Sequence, residues 1–215
     1  MAFWDVGNYG TGHGVTVNLN ATKNIVDDGY GNAETALGIE FFIGTQFGDS
    51  MTGNAANNHF GGNSGNDTLN GGGGDDDVHG DYGRDKVVGG GGNDQVSGGA
   101  DDDTLTGGSG ADLFNFFEQI DQAGVDTITD FAAGVDDIRI GGWGGGFAGP
   151  DLVAGQCRSG AGATSATTAA QRFIYDTTSG DLYFDRDGAG GSDAVLFAHL
   201  DNLAALTFQD FGIAF

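Results

Sequence analysis

From Met51 to Phe114 an apolar side chain returns at every ninth position: Met51, Phe60, Leu69, Val78, Val87, Val96, Leu105 and Phe114. Two residues before each stands an acid or an amide, namely Asp49, Asn58, Asp67, Asp76, Asp85, Asp94, Asp103 and Asp112. A glycine opens every unit from Gly44 to Gly107, so residues 44–115 divide into eight nonapeptides without an insertion. This pattern predicts a short strand at positions seven to nine, with the eighth side chain pointing inward. Glycines at positions one, two and four open backbone angles closed to other residues, and predict a tight wrap over the first six residues. Two nonapeptides, eighteen residues, then make one turn of a flattened coil with a sheet on each side. Glycine-rich tracts are ordinarily flexible linkers, but a linker has no need of an apolar residue in register eight times.

A wrap of this kind turns its carbonyl oxygens inward, where they need a partner. A carbonyl-lined turn with a carboxylate at position six offers the oxygen-rich surroundings that Ca²⁺ takes, ~6–8 ligands in all. Aspartate suits the place better than glutamate because its short side chain stays near its own turn. Residues 44–115 accordingly hold twelve Asp and no Glu.

The units follow the form G-G-x-G-x-D-x-U-x and resemble the calcium-binding RTX repeats over the whole of 44–115. The resemblance implies an all-β protein, a right-handed parallel β-roll (a β-solenoid) with a cap at each end. It also implies that each ion lies between loops one turn apart on the same edge. One edge is then lined by Asp49, Asp67, Asp85 and Asp103, the other by Asn58, Asp76, Asp94 and Asp112. Six neighbouring loop pairs result, giving an expectation of roughly four to six Ca²⁺ ions. The strongest pairs are Asp67/Asp85, Asp85/Asp103, Asp76/Asp94 and Asp94/Asp112. Backbone donors are expected at positions one and three: Gly62 and Ser64, Gly71 and Gly73, Gly80 and Tyr82, Gly89 and Gly91, Gly98 and Ala100. The two leading units depart from the pattern, with Phe47 and Ala56 in place of the fourth glycine and Asn58 in place of the acid. Asp101 also replaces a fourth glycine.

Charge sharpens the need for a cation. The chain carries a formal charge of −24 over 215 residues, with two lysines and 44 glycines. Two carboxylates ~5 Å apart repel by ~3 kcal/mol at an effective dielectric near 20. The metal-free roll is therefore expected to be expanded, and calcium binding to drive its folding. The same charge argues against nucleic-acid binding, which needs basic patches, and against anionic membranes. A 38% apolar share with sixteen Phe is too rich for a wholly disordered chain. With Cys157 the lone cysteine, an intrachain disulfide framework is excluded. The start Met1-Ala-Phe-Trp-Asp lacks a basic, then apolar, cleavable leader, and no apolar run approaches the ~18–20 residues of a membrane span. Weak calcium sites work at extracellular concentrations, so a monomer that folds outside the cell is expected. In RTX proteins an uncleaved C-terminal signal read by the type I secretion apparatus reconciles these features.

The organisation expected is an N-terminal cap over 1–43, the roll over 44–115 and a β-rich C-terminal cap over 116–215. Val15, Val17 and Leu19 alternate as a strand, and a turn comes next at Asp27–Asn32. Thr35–Ile43 looks like a degenerate repeat, with Gly38, Glu40 and Phe42 at positions four, six and eight, suited to closing the solenoid. Downstream, Asp126–Ile138 (D-x-I-x-D-F-x-x-G-x-D-x-I) resembles the segment after the roll in serralysin-type C-terminal domains. Phe173–Asp185 reads independently as a hairpin around Thr178-Ser-Gly. That run, Val195–Leu200 and the terminal Asp210-Phe-Gly-Ile-Ala-Phe also resemble the serralysin family, the last of them its secretion signal.

Other motifs point to weaker chemistry. Asp185, Asp187, Gly190 and Asp193 partly match an EF-hand loop, but Leu196 stands where the bidentate Glu belongs, so an Asp-Gly turn between strands is expected here ahead of an extra Ca²⁺ site. Gly144, Gly146 and Gly149 satisfy G-x-G-x-x-G, yet Pro150 comes directly after and no βαβ pattern surrounds them, so a loop is expected. His13, His59, His79 and His199 form no H-E-x-x-H; His59 and His79 read as solvated outward side chains, and Cys157 with His199 as an unsupported dyad. Phe114–Phe117 reads as cap core. No catalytic constellation emerges, so a secreted, non-enzymatic calcium module is the leading reading. The competing ones are the C-terminal portion of a larger secreted hydrolase, serralysin-like, and an adhesive or ice-binding surface. The last wants a Thr/Asn ladder along one edge, which positions three and five do not supply.

Overall fold

Parallel strands one turn apart succeed each other through the chain in steps of eighteen residues, Lys86–Gly91 pairing with Thr68–Gly73 on one side and with Thr104–Ser109 on the other. The computed structural model describes residues 2–5, 13–20, 25–27, 33–35, 39–117, 124–141, 154–191 and 193–214. The turn expected at 28–32, the Gly38 of the degenerate repeat and the loop at 144–150 lie outside them.

The first sheet runs in the order β1 (Ala2–Asp5), β5 (Ile39–Ile43), β7 (His59–Gly61), β9 (Asp77–Tyr82), β11 (Gln95–Ala100), β13 (Leu113–Phe116), β15 (Asp137–Gly141), β20 (Phe211–Ala214). The second begins with β4 (Ala33–Thr35), β3 (Ile25–Asp27), β2 (Thr16–Asn18), β6 (Ser50–Thr52), β8 (Thr68–Gly73) and β10 (Lys86–Gly91). It continues with β12 (Thr104–Ser109), β14 (Asp126–Ile128), β19 (Val195–Leu200), β18 (Asp181–Phe184), β17 (Phe173–Asp176) and β16 (Cys157–Gly160). Successive repeats alternate between the two sheets, which is the β-roll.

The eighth positions meet between the sheets. Phe60, Leu69, Val78, Val87, Val96, Leu105 and Phe114 are 0% exposed and Met51 1%. The column continues past the repeats into Val17 and Phe42 at one end and Ile128 and Ile138 at the other. Phe42 lies opposite Phe60 in the parallel register, so Ile39–Ile43 is a rung of the roll, as its repeat-like form suggested. Strands in the middle of the roll are longer than the sequence pattern implied. β8 to β12 run on through positions one to three of the next unit, and only positions four to six turn.

The C-terminal cap changes the geometry. β17, β18 and β19 pair antiparallel around the Thr177–Ser179 turn, with Gly180 at φ 88°. β17 is buried at all four residues rather than alternately, and Phe173 packs on Phe184 and Phe211 at ring separations of 5.3 and 5.1 Å. Phe114 and Phe116 are core, whereas Phe117 is 42% exposed. Phe114 also touches Phe131 at 5.8 Å, which ties the last repeat to the cap. Phe114→Ala should therefore cost ~3–5 kcal/mol in calcium-saturated protein, read from the denaturant midpoint at unchanged slope; a loss under ~1 kcal/mol would mean that the roll–cap junction does not pack as described.

Candidate metal centres

The position-six side chains are buried without being apolar: Asp49, Asp67, Asp76, Asp85, Asp94, Asp103 and Asp112 are each 3% exposed or less. Along each edge the backbone N–H of one rung donates to Oδ1 of the aspartate one turn on. Asp49 donates to Asp67 at 2.7 Å, Asp67 to Asp85 at 2.8 Å and Asp85 to Asp103 at 2.8 Å. On the other edge Asn58 donates to Asp76 at 2.7 Å, Asp76 to Asp94 at 2.8 Å and Asp94 to Asp112 at 3.0 Å. These are the two expected edges. The series does not stop with the repeats, since Asp103 donates to Asp126 at 3.1 Å and Asp112 to Asp136 at 3.0 Å.

The second oxygen of the repeat aspartates is left over. Oδ2 of Asp67, Asp76, Asp85, Asp94, Asp103 and Asp112 is buried and has no hydrogen-bond partner. Buried carboxylate oxygens without donors are costly, so a cation or a proton must satisfy them. A second donor stands close by. A Cβ added to Gly80 would meet both Asp85 Oδ2 and the carbonyl oxygen of Gly98; one added to Gly62 would meet Asp67 Oδ2 and the Gly80 carbonyl. The glycine at position one thus keeps open a small oxygen-lined space between successive rungs. Position three is partly committed, because the carbonyls of Tyr82, Gly91 and Ala100 accept the N–H of Gly65, Gly74 and Gly83; each keeps a second lone pair. Among the described residues no three His, Cys, Asp or Glu side chains gather as a metal site. An ion between rungs would meet two aspartates and otherwise main-chain oxygens, a hard-oxygen donor set that fits calcium.

The two leading repeats differ for a reason the sequence pattern did not reveal. The N–H of Thr45 and of Asn54, at position two, donates back to Asp49 Oδ2 at 2.6 Å and to Asn58 Oδ1 at 2.9 Å. Asp49 also accepts from Val15 N–H and the Thr45 hydroxyl, so both its oxygens are occupied. In the six later repeats position two has positive φ: Asn63 77°, Gly72 105°, Asp81 74°, Gly90 117°, Gly99 108° and Gly108 105°. β-Branched Thr45 resists that conformation, and that preference is the signal at position two that distinguishes the first unit.

Burial raises the carboxyls of Asp67 and Asp103 to about 8 and those of Asp76, Asp85 and Asp112 to about 6; Asp49 and Asp94 rise as well. Neighbouring carboxylates add to the rise, Asp85 and Asp49 acting on Asp67, and backbone donors oppose it.

Residues 43–78 and again 79–114 match the family of the RTX calcium-binding nonapeptide repeat (four copies). These residues are RTX calcium-binding repeats. The chain therefore contains a calcium-binding RTX module. Of the solved structures that match, one is the solution structure of a subunit from the Azotobacter vinelandii mannuronan C5-epimerase, 22% identical, covering 77% of this chain and 78% of that one, with a TM-score of 0.40. No curated protein matches the chain.

The remaining candidates sit away from the RTX edges. His59 and His79 are half-buried and share Asp77, through Nδ1 to Oδ2 at 2.8 Å and Nε2 to Oδ1 at 2.7 Å, so they are clamped rather than solvated. Phe41 stacks on His59 at 4.4 Å. His199 is held by Asp181 at 2.8 Å. Cys157 and His199 lie on β16 and β19, three strands apart in the sheet, roughly 14 Å at the usual spacing, and form no dyad. Burial pushes the Cys157 thiol up to about 12, which keeps it protonated and unreactive.

Proposed function

We propose that this chain is a calcium-triggered folding module in which ions between successive rungs replace the hydrogen bonds that the aspartates lack. The observation that carries the reading is the set of six buried, unpartnered Oδ2 atoms in register. The proposed ligands are Asp67, Asp76, Asp85, Asp94, Asp103 and Asp112, with carbonyls of Gly62, Ser64, Gly71, Gly73, Gly80, Tyr82, Gly89, Gly91, Gly98 and Ala100. Asp49 is left out because its oxygens are already bonded. The proposed divisions are the roll over 44–115 and caps on either side. With its ions bound, the roll has a use that is mechanical rather than catalytic. It keeps the chain unfolded where calcium is scarce and folds it where calcium is plentiful, as export through a type I secretion apparatus requires. Extracellular folding and the serralysin-like character of the C-terminal cap belong to the same proposal.

A metal count on purified protein, paired with calcium titration of two variants, tests it. Asp85→Ala should lower the ion count and raise the calcium midpoint for folding several-fold; Asp49→Ala, which deletes hydrogen bonds but no proposed ligand, should leave the ion count unchanged. Equal losses of ions from both variants, or no bound calcium in the parent protein, would sink the ligand assignment.

A further inference from the structure

Outside the repeats, one more buried carboxylate oxygen has no donor. Asp185, at the end of β18, is 3% exposed; its Oδ1 is fully enclosed and unpartnered. It lines an open cavity of about 540 Å³ bordered by Gly188–Gly191 and Asp193 on one side and by Thr164 and Ser165 on the other. From Asp185 the chain reads D-R-D-G-A-G-G-S-D, which sets carboxylates at Asp187 and Asp193 around the same loop. Asp193 lines the cavity, and Asp187 Oδ2 accepts from the Gly191 N–H at 3.1 Å. Gly188 turns the loop at φ 72°, and the Gly190 N–H donates to the Gly188 carbonyl.

We propose that Asp185 anchors a separate divalent-cation site of calcium type, with Asp187, Asp193 and the carbonyls of Gly188–Gly191 completing the oxygen shell. The spacing matches the first, third and ninth places of a calcium loop, with Gly190 at the turn; Leu196 replaces the bidentate Glu. The three carboxylates do not gather on one point. Asp185 directly follows β18 and is held there by its N–H, which donates to the Arg172 carbonyl at 2.7 Å, whereas Asp187 and Asp193 are exposed. Arg172 stands nearby; its Nη1 bonds the Ala169 and Gln171 carbonyls and lies beside Gly188. That positive charge and the missing Glu place the affinity in the weak range of extracellular modules, ~10⁻⁴–10⁻³ M. Filling the site would pin the β18–β19 connection, and with it the antiparallel end of the second sheet, at calcium levels above those that fill the roll.

Equilibrium dialysis of the full chain against calcium, carried into the millimolar range, tests the site. Asp187→Asn/Asp193→Asn changes only exposed side chains and should bind one calcium fewer than the parent, with the roll's calcium-induced β signal unchanged. Asp185→Asn should lose the same ion. Amide exchange over 185–194 should slow with calcium in the parent and not in the double variant. If the double variant keeps the parental stoichiometry while Asp85→Ala loses ions, this site is overturned and the roll reading stands. If the parent binds no calcium, both fall.

Discussion

Stripped of calcium with EGTA at pH 7.5, the protein should lose most of the β signal of residues 44–115 and regain it cooperatively as calcium is restored. The reason lies in the spacing of the rungs. Each edge stacks carboxylates one strand apart, ~4.8 Å, and from Asp67 to Asp112 one oxygen of each is buried and without a donor. At neutral pH these groups favour ionisation in the unfolded chain, and folding without metal would bury a column of like charges. Each ion cancels the repulsion between two rungs and supplies the contact both lack, so filling one interval helps to order the next. Circular dichroism during titration reads this directly. A chelated protein that keeps its full β content at pH 7.5 would show that the apolar column alone holds the roll.

Acid should act as a weak substitute for calcium. Asp67 and Asp103 are raised to about 8 and Asp76, Asp85 and Asp112 to about 6, against a free value of 3.8. Between those limits the folded state holds more protons than the unfolded one, so metal-free stability is greatest near pH 4, falls as pH rises through 6 and is lowest above 8. Chelated protein should accordingly regain β structure as pH is lowered from 8 toward 5. Exposed carboxylates titrate near 4, so a transition centred between 6 and 8 identifies the buried column as its source. Protons and calcium compete for the same oxygens, and the calcium midpoint should climb over the same range as pH falls. A midpoint constant from pH 8 to 5.5 would contradict the burial of these groups.

The repeat was legible because one period sets three independent things: a space-keeping glycine, an acid and an apolar anchor. Leu69 and Val87 are at 0% exposure because the eighth position is the one that the strand turns into the space between the sheets. The turn is less legible. The pattern makes position one look conformationally special, yet Gly80 is needed for the room beside Asp85, and positive φ belongs to positions two and four, where Asp81 and Asp101 adopt it as well as glycine. The last rungs escape the period because the interval lengthens: Asp126 comes 23 residues after Asp103 and Asp136 comes 24 after Asp112. The glycines of positions one and two are gone there, but Gly124-Val-Asp126-Thr-Ile and Gly134-Val-Asp136-Asp-Ile keep positions four to eight of the unit, with Gly124 and Gly134 at positive φ, a trace that the sequence does carry. The clamping of His59 by Asp77 was not legible, because it joins adjacent strands; the bond of His79 to the same Asp77 lies within one strand, two residues apart.

The bond from each rung's N–H to an aspartate on the next turn has a consequence for how such a chain can change length. Asp103 and Asp112 each hand their N–H to a particular residue of the cap, Asp126 on one edge and Asp136 on the other. Removing one nonapeptide would leave those spacings unchanged, because the rung before the deletion takes the lost rung's place and hands its N–H to the same cap aspartate. What changes is orientation: every later rung, the cap included, moves half a turn around the roll. Length can therefore vary in steps of nine residues, and each step turns the two ends of the molecule half a turn relative to one another.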